Sequence, residues 1–119
     1  MTHVPVMKQE VLELLDPKRN ENFIDCTAGE GSHTFAIAER TAPDGKVLAI
    51  DRDRRNADLI RKKAESSDLG SRVLARQGNY ADIGAMAEKE SLRDVSGILL
   101  DLGISSWHID ESGRGFSYK

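Results

Sequence analysis

The residues best suited to chemistry lie in and after the stretch FIDCTAGEGSHT, residues 23–34. A short apolar run ends in Asp25, and a loop follows in which Gly29 and Gly31 bracket Glu30 and lead into Ser32 and His33. Glycine loops after strands let backbone N–H groups approach a ligand, most often a phosphate. A dinucleotide fingerprint needs a third glycine three residues after the second, and Thr34 stands there instead. Spacing still favours a nucleoside. Asp51 lies 20 residues beyond Gly31, at the end of the second apolar run, where an acid accepts hydrogen bonds from ribose hydroxyls. The sign of the charge narrows the ligand further. Asp25 and Glu30 at the loop, with Asp51, Asp53 and Asp101 at neighbouring run ends, repel a pyrophosphate and suit a ligand carrying an ammonium and a sulfonium. S-adenosylmethionine is such a ligand. Tyr80, in QGNYAD, is placed to line an adenine slot, although a loop aromatic packed on the core fits the same position.

These residues need elements that bring them together. Met7, Val11, Leu14 and Leu15 recur at helical spacing and predict an opening helix over about 6–16, ended by Pro17. NFIDC, KVLAID, RVLARQ and VSGILLDLG (95–103) predict four strands. Between them, residues 32–40, about 54–66, and a segment holding Ile83, Met86 and Ala87 predict helices, with a turn at APDGK. The order is helix, then β-α-β-α-β-α-β. Such alternation implies right-handed crossovers and the α/β, doubly wound class with a mainly parallel sheet, about four strands present. Ligands of these sheets bind outside the carboxyl ends of the strands. Polar residues and glycines end strands in every protein, but four such ends in one register argue for a site.

Length and composition bound the partners. The 119 residues fit one domain, or part of one, and 39% apolar with 31% charged residues describes a globular chain. No run reaches membrane-spanning length and no signal-peptide pattern opens the chain, which predicts a cytoplasmic protein without a membrane partner. The lone Cys26 and three scattered histidines show no metal-ligand spacing. A net charge of −3 gives no compositional support for nucleic-acid binding.

Several of these segments carry a family likeness. HVPVMKQEVLELL, IDCTAGEGSHT, LAIDRD, QGNYAD, GILLDLGISS and GRGFSY, from His3 to Tyr118, together resemble the bacterial S-adenosylmethionine-dependent methyltransferases that modify the N4 amine of a cytosine in small-subunit (16S) ribosomal RNA. The resemblance implies a Rossmann-like class I methyltransferase fold. It implies that Gly31, Ser32 and His33 contact the cofactor through their backbone, that Asp51 holds the ribose, and that Tyr80 borders the adenine. It also implies that Asp101 and the loop after it close the site beside the reactive methyl, and that His108 takes a cofactor-facing place where the family has glutamine. The chain departs from the family at SSWHID, where Trp107 and His108 replace a proline and a glutamine. An exocyclic cytosine amine is a poor nucleophile, so an acceptor beside it sharpens attack; Asp101 is the candidate catalytic residue, with a cofactor-facing or capping carboxylate as the other reading. His33 reads more simply as a backbone anchor at a helix start than as a base.

Family members continue beyond the RGFSY motif, so residues 1–119 are expected to form the N-terminal, cofactor-binding part of the domain and to be inactive alone. The alternative is a stand-alone S-adenosylmethionine- or nucleotide-binding module without catalysis. An incomplete parallel sheet leaves an open edge and apolar faces, from which a homodimer is expected.

Overall fold

The computed structural model describes residues 8–26 and 28–100. The four apolar runs form parallel strands β1 (Asn22–Asp25), β2 (Val47–Asp51), β3 (Val73–Gln77) and β4 (Val95–Leu99), arranged in the order β3-β2-β1-β4. Phe23 pairs with Val47, Asp25 with Ala49, Asp51 with Gln77 and Asp25 with Leu99, so all four carboxyl ends lie along one side of the sheet.

Alternation along the strands divides the core into two layers. Phe23, Val47, Ala49, Val73 and Ala75 face one way and pack with Leu12, Ile37, Ile60 and Ala64 from helices α1 (Lys8–Leu15), α2 (Ser32–Arg40) and α3 (Arg54–Glu65). Ile24, Leu48, Ile50 and Ile98 face the other way and pack with Ile83 and Leu92, from α4 (Ile83–Lys89) and the turn after it. Strands covered on both faces must be apolar throughout, and β2 is buried from Val47 to Ile50. The doubly wound expectation therefore holds.

Side chains fasten the amino ends of the strands. The Asn22 amide donates to the Arg93 carbonyl at 2.8 Å, and the Lys46 N–H donates to Asn22 Oδ1 at 2.8 Å, which ties the entries of β1, β2 and β4 together. Arg72 donates through Nη1 to the carbonyls of Ala38, 3.0 Å, and Gly45, 2.7 Å, closing the end of α2 onto the turn before β2.

The differences from the sequence expectation lie at element ends. The opening helix stops at Leu15 rather than beside Pro17, because Asp16 turns left-handed at φ 47°. Its expected start at residue 6 lies outside the described residues, as does 101–103 of the fourth run. Tyr80 lies beyond the end of β3 and opens a short 3-10 turn, Tyr80–Asp82, capped by Asn79, whose Oδ1 accepts the Ala81 N–H at 2.8 Å. Among the described residues no helix is long and apolar enough to cross a membrane.

Candidate functional site

Strands β1, β2 and β3 succeed one another in one direction, and β4 returns to the other flank of β1. This reversal makes the carboxyl end of β1 the switch point of the sheet, where such folds open a crevice. The glycine loop occupies that place. The Cys26 N–H donates to the Leu99 carbonyl at 2.8 Å and the Ala28 N–H to the Ile50 carbonyl at 3.1 Å, so the chain leaving β1 is fastened to both neighbours. Gly29 at φ 54° and Gly31 at φ 89° then turn the backbone left-handed, a conformation other residues rarely adopt. A Cβ on Gly29 would meet open space, whereas one on Gly31 would lie 2.9 Å from Phe35 Cε2. Gly31 thus lets α2 start tight against its own first turn, and Gly29 has no described atom within 4 Å of the place a Cβ would take. Gly31 brings no side-chain cap to α2, whose amino end lies at this loop.

Asp51 is the polar centre of the site. Its Oδ2 accepts the Gly29 N–H at 2.7 Å, and its Oδ1 accepts the Asp53 N–H at 2.8 Å and the Asn56 amide at 3.3 Å. Three donors fix the plane of the carboxylate, and Oδ2, with one donor among the described residues, retains room to accept a hydroxyl. The Gly78 N–H donates to the Asp51 carbonyl at 2.9 Å, which brings the loop holding exposed Tyr80 beside the end of β2. Hydroxyl acceptor, aromatic edge and helix N–H groups face the same end of the sheet. That set is able to hold a nucleoside bearing a carboxylate.

Asp25 takes an inward position. It is 1% exposed and accepts the Thr34 hydroxyl at 2.7 Å on Oδ2, which locks the end of β1 to the first turn of α2 beneath the loop. In the sequence Thr34 stands only where a third glycine is missing; its role as a donor to Asp25 requires the fold. Asn56 was likewise missed, although its placement five residues after Asp51, in the first turn of a helix, was a legible signal. His33 is buried, Ser32 half-buried and Glu30 exposed. Asp101 and His108, with Ser105, Ser106 and Trp107, lie outside the described residues.

Charge tuning at the site is local. The Arg55 guanidinium and N–H, bonded to Asp53, hold the Asp53 carboxyl below its usual range. Burial first, and the Asp25 charge second, push the Cys26 thiol up to about 12. A depression lined by Gly84, Ala87, Leu92 and Arg93 lies along α4 and the turn after it, and none of the site's residues lines it.

Comparison with known proteins agrees with this arrangement. The family model described as MraW methylase family matches residues 1–119. The chain is 44% identical over 117 residues to the ribosomal RNA small subunit methyltransferase H of Syntrophotalea carbinolica, covering 98% of this chain and 37% of that protein. To the protein of the same name from Thermosipho melanesiensis it is 40% identical over 116 residues, 98% of this chain and 38% of that one. The chain thus spans little more than a third of the length of these relatives. Among solved structures, it resembles TrmN from Thermus thermophilus at a TM-score of 0.60 and 25% identity, over 68% of this chain and 24% of that one. The O-methyltransferase from Bacillus cereus in complex with SAH shares the fold at a TM-score of 0.65 and 22% identity, over 82% of this chain and 44% of that one. Sequence match, sheet order and glycine loop agree, and the chain belongs to the MraW methylase family.

Proposed function

We propose that this chain is the S-adenosylmethionine-binding, N-terminal part of a methyltransferase domain whose substrate is the N4 amine of a cytosine in small-subunit ribosomal RNA. The observation that carries the reading is Asp51, held at the end of β2 by the Gly29 N–H of the loop that opens α2. Support for the RNA substrate comes from the names of the relatives.

When bound, the cofactor supplies a methyl group already activated on a sulfonium, so the protein's task is positioning. Asp51 Oδ2 accepts a ribose hydroxyl. The backbone of Gly31, Ser32 and His33 meets the carboxylate of the amino-acid tail, and Tyr80 borders the adenine. Asp25 acts from beneath the loop, where its charge favours the cationic tail and disfavours a pyrophosphate. Asp101 and His108 keep the roles the resemblance implies, closing the site and, for Asp101, accepting from the attacking amine.

Isothermal titration of the 119-residue chain with S-adenosylmethionine, S-adenosylhomocysteine and NAD tests the reading. Binding of the first two and not NAD is the expected outcome; binding of NAD alone overturns it. Among the described residues β4 pairs with β1 alone, and self-association through its other edge completes the proposal. Sedimentation at the monomer mass across micromolar concentrations would remove that last element.

A further inference from the structure

Of the loops that leave the carboxyl ends of β1, β2 and β3, only the one after β2 is basic, with Arg52 in the loop and Arg54 and Arg55 opening α3. All three are exposed. Arg55 pairs with the capping Asp53, but the helix dipole does not account for Arg52 and Arg54. The amino end of a helix carries partial positive charge and favours acids, yet the first turn of α3 has no acid and begins with two arginines. Lys62 and Lys63, in the last turn of the same helix, stand where the dipole favours cations.

Three other arginines have visible structural tasks, whereas Arg19, Arg40 and Arg93, also without a side-chain bond among the described residues, precede strands rather than follow them. Arg61 bonds Asp58 and the Ala75 carbonyl, Arg72 closes α2 onto its turn, and Arg76 grips Glu90 with two bonds of 2.7 and 2.9 Å. Arg55 is paired with Asp53 at 3.1 Å. The Arg52 and Arg54 side chains make no hydrogen bond or ion pair among the described residues. Their backbone is nevertheless anchored: the Gln77 amide donates to the Arg52 carbonyl at 3.3 Å, and Asp53 caps α3 by accepting the Arg55 N–H at 2.8 Å. The neighbouring acids are engaged, Asp51 by three N–H donors and Asp53 by Arg55. Two uncommitted guanidinium groups on a fixed ledge therefore flank the proposed cofactor site.

We propose that Arg52 and Arg54 form a phosphate-contacting rim that takes the backbone of the RNA substrate beside the cofactor pocket. The inference rests on the proposed function and names residues it leaves out. Guanidinium groups suit phosphate oxygens by geometry and constant charge, and such contacts position a strand without reading its bases.

The test is fluorescence anisotropy of the 119-residue chain with a labelled single-stranded 12-nucleotide RNA from about 50 to about 200 mM salt, with S-adenosylmethionine affinity measured in parallel. Each phosphate contact on a single strand contributes about 0.7 to the slope of log affinity against log salt, so Arg52→Gln/Arg54→Gln should flatten that slope by about 1.4. Over this salt range the loss of affinity shrinks about sevenfold relative to the unmodified chain. Cofactor affinity should be unchanged, and Arg40→Gln/Arg93→Gln, at the opposite end of the sheet, should leave the slope as it was. An unaltered slope in the first variant, an equal change in the second, a parallel loss of cofactor affinity, or no RNA binding by a chain that binds S-adenosylmethionine each overturns the rim. Failure to bind S-adenosylmethionine overturns the proposed function instead, while the slope still reports on the arginines.

Discussion

The proposed cofactor site turns on one carboxylate, that of Asp51. Removing it by Asp51→Ala deletes a charged acceptor, and hydrogen bonds to charged groups contribute about 1.5–3 kcal/mol, so affinity for S-adenosylmethionine should fall roughly 10- to 100-fold in a titration. Asp51→Asn, which keeps the shape and loses the charge, should fall between; equal affinity in all three proteins would remove Asp51 from the site. Cys26 offers a test of burial beneath the same loop. Its folded pKa, about 12, lies above its ordinary value of 9.0, so the folded state keeps the thiol proton where the unfolded state has lost it. This contribution to stability is fully present below pH 9.0 and is lost as pH rises towards about 12. Urea denaturation across that window should show stability declining with pH, and Cys26→Ala should flatten this part of the decline. A decline of the same steepness in the variant would assign it to other groups.

At the scale of elements, the loop works because β1 and α2 are held at a fixed angle around it. The Thr34 hydroxyl on Asp25 spans that joint inside the core. Thr34→Val keeps the volume and deletes a donor to a buried carboxylate, for an expected cost of about 1–3 kcal/mol. Thr34→Ser keeps the donor and loses one buried methyl, for about 0.8 kcal/mol. Chemical denaturation should rank the wild type above Ser above Val, and the reverse order of the two variants would show that packing rather than the hydrogen bond holds the joint. The third glycine of a dinucleotide fingerprint would supply close packing at this place; here a buried hydrogen bond does so.

For the molecule as a whole, the described sheet has β4 at one flank, and relatives run to nearly three times the matched length. Under the proposed function the cofactor-binding groups lie within these 119 residues, which cover 37% of the length of the relative matched at 44% identity. We expect the 119-residue chain to bind S-adenosylmethionine without transferring labelled methyl to small-subunit particles. Robust turnover would place the whole catalytic apparatus within these residues.

Much of this was legible in the residues themselves. Apolar runs alternating with helical spacing determined the strand and helix order, because strands buried on both faces leave no freedom for polar side chains. Glycines at 29 and 31 and an acid 20 residues on marked the candidate site, because few residue types serve a left-handed turn. Tertiary structure decided what separation along the chain conceals. Thr34 reaches Asp25 only once α2 folds back onto β1, and Gly29 finds Asp51 only because β1 and β2 lie side by side. Asp25, which charge alone placed facing the ligand, went beneath the loop for the same reason: a partner for its carboxylate waited inside the fold.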